Sequence, residues 1–174
     1  MGLFDKIRRM VFSGSKYYEQ DTYTIPDFDA GLWRRMSNDA EYQMLSDKYY
    51  KMSEKIEATY SVINSMNAFD KSAGDTFIEL CRETIDIIER IYPKWKMYNQ
   101  VPYANNVYKR MAMAYEKRGQ YKEAADVCLE AIRIGFESDG TNGGYLGRMV
   151  RMLKKGKIEP NSEMKYLISK MFEN

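Results

Sequence analysis

The chain contains no histidine among its 174 residues. Histidine is the commonest general base and the commonest metal ligand, so its absence removes the easiest routes to acid–base catalysis and to a metal site. Carboxylate, lysine, tyrosine and cysteine chemistry stays open, but the sequence contains no nucleophile–base pair, P-loop or zinc-ligand spacing to support it. We therefore expect a protein that is not an enzyme and that binds no cofactor or metal.

Cysteine and long apolar runs are scarce as well. Cys81 and Cys128 are the two cysteines, and neither stands in a CxxC or other ligand spacing, so we expect both to be reduced core thiols. The sequence contains no run of 18 apolar residues, so it predicts no membrane-spanning helix. The N-terminus lacks the apolar region and cleavage site of a signal peptide. These absences predict a cytoplasmic protein.

Net charge and proline content are low. The 27 basic and 25 acidic residues leave a net charge of +2. No global field therefore draws the chain to nucleic acid, and any electrostatic site must be local. The four prolines fall at candidate boundaries and leave long windows in which helices can run. They are Pro26, Pro93, Pro102 and Pro160. The sequence predicts an all-α fold.

Residues 1–38 are expected to form an N-terminal appendage. Residues 2–12 make a short amphipathic segment, residues 13–29 a polar and aromatic linker, and a short helix begins at Asp29. The amphipathic segment is expected to dock onto the protein's own core or onto a sister subunit. The alternative is that its apolar side lies on an anionic membrane, which would make the protein a peripheral membrane adaptor.

Apolar residues between positions 39 and 66 are spaced by alternating threes and fours, which is the pattern of a heptad seam. The seam consists of Tyr42, Leu45, Tyr49, Met52, Ile56, Thr59, Ile63 and Met66. After a short connection, residues 75–92 supply a second apolar stripe that stops at Tyr92-Pro93. We predict that the two stripes pair as a helical hairpin within residues 39–102. The alternative is a self-associating structural protein in which the seam pairs with another chain.

Residues 105–138 have the spacing of two helices joined by a tight turn at Gly119. The apolar positions are Tyr108, Met111, Ala112 and Tyr115 on the first helix, and Ala124, Val127, Cys128, Ala131 and Ile132 on the second. Ala112 and Ala124 are small enough for the two backbones to approach closely. This order of large and small residues resembles the 34-residue tetratricopeptide repeat. Cys128 stands where that repeat usually has an aromatic residue, and Phe136 where it often has proline.

The resemblance implies a right-handed superhelix of helix pairs that serves as a protein-interaction scaffold. In such repeats the outward side chains of each first helix line a groove, and some members use Lys, Arg and Asn there to hold a peptide's carboxylates. The positions that match in this chain are Asn106, Lys109, Arg110, Met113, Lys117, Arg148 and Arg151. They are the predicted partner-binding residues, and the alternative is an ordinary solvated face.

A second, degenerate repeat is predicted to follow and to complete the helical repeats of residues 103–174. Its first helix should face inward with Leu146, Met149, Val150 and Leu153, and outward with Arg148, Arg151, Lys154 and Lys155. Its second helix should span residues 161–172. The glycines between 140 and 147 make either a flexible connector or a phosphate-cradling loop. Residues 38–174 should form one continuous domain, and the overall order resembles small bacterial proteins with a single C-terminal repeat, which assigns no activity.

These patterns predict a non-catalytic scaffold that binds a protein or peptide segment, with an acidic segment as the natural choice. Nucleic acid is not expected, because most of the 15 tyrosines fall on heptad or repeat faces, where they are core residues.

Overall fold

The computed structural model describes residues 29–103 and 105–171. Within these ranges the regular structure is helical and contains no β-strand, so the predicted all-α class is confirmed. The helices are α1 Ala30–Asn38, α2 Ala40–Ser65, α3 Ser72–Met97, α4 Asn106–Lys117, α5 Tyr121–Ile134, α6 Gly144–Gly156 and α7 Ser162–Lys170. The predicted amphipathic segment 2–12 and nearly all of the predicted linker lie outside the described residues. None of the described helices is long and apolar enough to cross a bilayer.

Helices α2 and α3 form the predicted helical hairpin, and Asp39 ties its open end together. The Asp39 carboxylate caps α2 by accepting a hydrogen bond from the backbone N–H of Tyr42 at 2.9 Å, which satisfies one of the free donors of the first turn. It also accepts hydrogen bonds from Lys94 Nζ at 2.7 Å and from the Tyr98 hydroxyl at 2.8 Å. The hydrogen bond from Lys94 is the largest of the effects that lower the pKa of Asp39 to about 2.

The buried side of α2 follows the period of a straight helix rather than a strict heptad. Five seam residues are buried as predicted: Tyr42, Leu45, Tyr49, Ile56 and Ile63. Met52 and Thr59 are only half-buried and Met66 is exposed, while Tyr60, next to Thr59, is buried in the core. A straight helix drifts by about 20° per heptad, and Tyr60 lies about five turns of 3.6 residues after Tyr42, on the same side. Within the chain, α3 packs along this side.

Helix α3 continues through Pro93 to Met97, so the predicted stop at Tyr92-Pro93 is wrong. A proline inside a helix costs about 3 kcal/mol. Beyond it, Trp95 is buried edge-on against Tyr49, with ring centroids 4.8 Å apart. Truncating a buried tryptophan costs about 3–5 kcal/mol. The burial of Trp95, together with the ion pair of Lys94, therefore outweighs the local penalty and extends the helix by one turn.

Helices α4 and α5 form the second hairpin where the repeat pattern predicts it. Asn105 caps α4 by accepting a hydrogen bond from the backbone N–H of Val107 at 2.9 Å. Gly119 turns the chain with a φ of 71°, a conformation that glycine adopts without steric cost. The fully buried positions are Tyr108, Met111, Ala112, Ala124, Val127, Cys128 and Ala131, while Tyr115 and Ile132 are half-buried. Burial raises the pKa of both Cys81 and Cys128 to about 12, so both are protonated core thiols.

Helices α6 and α7 form the third hairpin, and the predicted inward stripe of α6 is wrong in part. Met149 and Leu153 are buried, but Leu146 and Val150 are only half-buried, and Arg148 faces inward rather than outward. The buried set is Tyr145, Arg148, Met149, Met152 and Leu153. Two polar contacts orient the helix this way: the Tyr145 hydroxyl donates to the backbone carbonyl of Asn105, and Arg148 pairs with Asp139. Helix α7 is short and buries Met164.

The three hairpins pack in chain order. Helix α4 contacts both α2 and α3, and α6 contacts α5. This arrangement makes α2, α4 and α6 the first helices of successive hairpins and places the predicted partner-binding residues on α4 and α6.

Candidate functional site

Ion pairs join each first helix to the next. Glu57 of α2 pairs with Arg110 of α4 at 2.6 Å. Glu116 of α4 pairs with Lys155 of α6. We call the surface of α2, α4 and α6 that carries these four residues the first-helix face. Of the predicted partner-binding residues, Asn106, Lys117 and Arg151 are exposed, Lys109, Arg110 and Met113 are half-buried, and Arg148 is buried.

Arg110 is held by two residues of α2. Its Nε lies 3.0 Å from both carboxylate oxygens of Glu57, and its Nη2 lies 2.6 Å from Oε2. The guanidinium group also stacks over the ring of Tyr60, 4.5 Å from the centroid, in cation–π geometry. The hydrogen bonds to Glu57 are the main reason that the pKa of Arg110 is raised. A partner's carboxylate would have to break this fork before it could bind Arg110.

Arg148 forms a buried ion pair with Asp139, which precedes α6. The Asp139 side chain is 0% exposed and that of Arg148 8%, and the Arg148 Nε lies 2.7 Å from Oδ2. Asp139 also accepts hydrogen bonds from the backbone N–H of Thr141 at 2.9 Å and from its hydroxyl. Burial alone would raise the pKa of Asp139, but the hydrogen bonds from Thr141 and Arg148 hold it below its usual value. The pair fixes the loop between α5 and α6 and is not accessible to a partner.

Four cations on α4 and α6 have no ion pair with another described residue. The two helices carry Lys or Arg at seven positions and a carboxylate only at Glu116. Glu57, Asp139 and Glu116 pair with Arg110, Arg148 and Lys155. Across residues 29–103 and 105–171, the cations without an ion pair on these helices are Lys109, Lys117, Arg151 and Lys154. Helices α4 and α6 are therefore locally positive in a chain whose net charge is only +2.

The glycine-rich loop before α6 uses its backbone donors internally. The N–H of Gly144 donates to the carbonyl of Thr141 at 3.1 Å, and the N–H of Tyr145 donates to that of Glu137 at 3.0 Å. A phosphate cradle at a helix N-terminus needs free N–H groups of the first turn, and two of them are taken here. The close approach of Glu137 to Gly144 gives the glycine a structural reason instead.

Gly144→Ala should lower the free energy of unfolding by about 2–3 kcal/mol, because Gly144 has a φ of 55° and a Cβ there would lie 2.1 Å from the Glu137 carbonyl oxygen. Gly147→Ala on the same helix is the matched control. Its Cβ would meet no atom closer than 3.5 Å, so it should be neutral or slightly stabilising. Urea denaturation of both variants checks this, and equal stability would contradict the structural account of the loop.

A second concave surface lies where the chain before α4, the loop after α5 and the end of α7 meet. This cleft of ≈ 910 Å³ has apolar walls formed by Pro102, Tyr103, Ile132, Phe136, Leu146, Leu167 and Met171, with Glu137 and Lys170 as its charged residues. Within the described ranges, no cluster of His, Cys, Asp or Glu could hold a metal ion. The cleft was not predicted from the sequence, because its walls come from three separate segments.

The ion pairs that Glu57 and Asp139 form with Arg110 and Arg148 were not predicted from the sequence either. Glu57 lies 53 residues before Arg110 and in a different predicted region, so no local spacing joins them. Asp139 and Arg148 are nine residues apart, across a loop whose path is set by its glycines. The aspartate that begins the glycine-rich loop, Asp139, is the local signal that could have suggested a partner for Arg148.

Comparisons of the chain with protein-family models, curated proteins and solved structures give no match in any of the three.

Proposed function

We propose that this chain is a non-catalytic, cytoplasmic interaction scaffold that binds an acidic segment of a partner protein on the first-helix face. The observation that supports the proposal most is the set of four cations on α4 and α6 that have no ion pair with any described residue, in a nearly neutral chain. They are Lys109, Lys117, Arg151 and Lys154. Charge of one sign concentrated on one surface attracts segments of the opposite sign.

The expected binding is modest and depends on salt. An exposed ion pair contributes about 0.2–1 kcal/mol, so four such contacts contribute roughly 1–4 kcal/mol and weaken as ionic strength rises. The half-buried side chain of Met113 on α4, which packs against the core, offers an apolar contact that salt does not screen. This combination suits a reversible interaction with an extended segment.

Two features of the chain bear on the alternatives. The resemblance of residues 105–138 to a tetratricopeptide repeat and the stacking of the hairpins in chain order support a binding scaffold. The burial of the seam of α2 against α3 favours an intramolecular role for that seam over self-association. The membrane alternative concerns residues 2–12, which lie outside the described residues.

Reversing two of these cations should weaken the binding of an acidic probe. We expect Lys109→Glu combined with Lys154→Glu to weaken the binding of a fluorescent deca-glutamate peptide by at least about tenfold, because two attractions become repulsions. Fluorescence anisotropy at low and physiological salt measures the affinity. Deca-glutamine is the neutral reference peptide.

The matched control is Lys48→Glu combined with Lys71→Glu, which makes the same change in net charge. Lys48 lies on α2, where it lines a groove together with residues of α3. Lys71 precedes α3, and both lysines are exposed. Circular dichroism should show that both double variants are folded. If the control loses as much affinity as the test variant, the peptide responds to net charge and the first-helix face is not the site.

A further inference from the structure

The three paired cations of the first-helix face differ in how firmly they are held. Arg148 is 8% exposed and Arg110 25%, whereas Lys155 is 53% exposed. Arg110 is held by the Glu57 carboxylate and by the ring of Tyr60. Arg148 is held by the fully buried carboxylate of Asp139. Lys155 is held by Glu116 alone among the described residues. Of the three, Lys155 is the one that a partner could take without breaking the core.

Within the part of the chain that the structure describes, the Glu116 carboxylate has few contacts apart from the one with Lys155. Its second carboxylate oxygen lies 3.9 Å from Arg148 Nη1, beyond hydrogen-bond distance. Its side chain remains 25% exposed, next to Lys117 in the sequence and facing α6. Glu116 therefore places a carboxylate on the surface where, on the proposed function, the partner's carboxylates bind.

We propose that Glu116 is an internal competitor of the acidic partner: it occupies Lys155 in the free chain, and a partner's carboxylate gains Lys155 only by displacing it. This inference rests on the proposed function and identifies the residue that limits its affinity. Lys154 has no ion pair with a described residue and is available to any acidic segment, whereas its neighbour Lys155 is paired with Glu116. The face thereby discriminates in favour of segments dense enough in carboxylates to displace Glu116.

A double-mutant cycle on Glu116 and Lys155 tests this competition with the deca-glutamate probe. Glu116→Gln should tighten binding by about threefold to fivefold, since it frees one exposed cation for the probe. Lys155→Met should change the affinity of the native chain by less than about twofold, because Lys155 is already occupied. In the Glu116→Gln background, Lys155→Met should remove the gain. Lys154→Met should weaken binding in both backgrounds.

The controls separate competition from general electrostatics. Glu130→Gln breaks the ion pair between Arg82 of α3 and Glu130 of α5, away from the first-helix face, and should leave the affinity for the probe unchanged. If Glu116→Gln tightens binding equally with and without Lys155, Glu116 acts by charge repulsion and the inference is overturned. The inference is also overturned if Lys155→Met, introduced into the native chain, weakens probe binding as much as Lys154→Met does.

Failure of the inference can be told from failure of the proposed function. If Lys154→Met weakens binding but Glu116→Gln has no effect, the proposed site for acidic segments is supported and the competition by Glu116 is refuted. If the probe binds neither the native chain nor the Glu116→Gln variant, both fall. If the probe binds only after Glu116→Gln, the competition is confirmed in its strongest form. Thermal denaturation of each variant verifies that the comparison is made between folded chains.

Discussion

Leu45→Glu should lower the free energy of unfolding by about 4 kcal/mol or more. Leu45 lies on α2 and is 1% exposed, so a glutamate there would place a carboxylate in the core between α2 and α3 with no counter-ion. Burying an unpaired charge is among the few single changes with so large an effect. Urea denaturation followed by circular dichroism measures it, and we expect the variant to be largely unfolded at 25 °C.

The adjacent substitution Met44→Glu is the matched control. Met44 is 56% exposed, so the same new charge should change stability by no more than about 0.5 kcal/mol. Analytical ultracentrifugation of both variants addresses the self-association alternative. If the native chain is a dimer and Leu45→Glu yields a folded monomer, the seam is an interface between chains, and its burial against α3 does not describe the protein in solution.

Arg148→Met should cost about 3–5 kcal/mol, because it leaves the Asp139 carboxylate fully buried without its cation. Replacing both partners, with Arg148→Met and Asp139→Asn together, should recover much of the loss, since the buried charge is then gone. Recovery in the double variant separates the ion pair from the packing of the arginine side chain.

The pH dependence of stability should reverse between the native chain and Arg148→Met. In the native chain the pKa of Asp139 lies below its ordinary value. Its contribution is therefore complete above the unfolded pKa of about 3.9 and is lost as the pH falls through the folded pKa. Without Arg148, burial should raise that pKa, so the variant should become more stable as the pH falls from 7 towards 5. Parallel pH profiles for the two proteins would contradict the buried ion pair.

Periodicity predicted the helices well because it depends on which side of a helix is buried. Residues 105–138 show this, since the small residues Ala112 and Ala124 are both in the core. The errors occur where contacts from distant segments decide the outcome. The local chemistry of Pro93 predicts the end of a helix, but α3 continues through it to Met97 because Trp95 is buried against Tyr49. Tyr60 replaces Thr59 because a straight helix keeps its own period.

The candidate site could be predicted only in outline. The repeat pattern placed seven residues on α4 and α6, but it could not show which cations already have a partner. Arg110 and Arg148 have the same outward appearance in the sequence as Lys109 and Arg151. Arg110 and Arg148 differ from the other two because they form ion pairs with Glu57 and Asp139. Folding brings each carboxylate to its arginine. The free cations are a property of the folded chain.

Mapping a bound probe onto the chain would show whether α4 and α6 present a surface for an acidic segment. We would record the amide ¹H–¹⁵N spectrum during titration with deca-glutamate peptide. We expect the chemical-shift changes to concentrate on α4 and α6, around Lys109, Lys117, Arg151 and Lys154, and to diminish as the salt concentration rises. Shifts confined to the cleft around Tyr103, Phe136 and Met171, or spread evenly over all exposed lysines, would contradict this expectation.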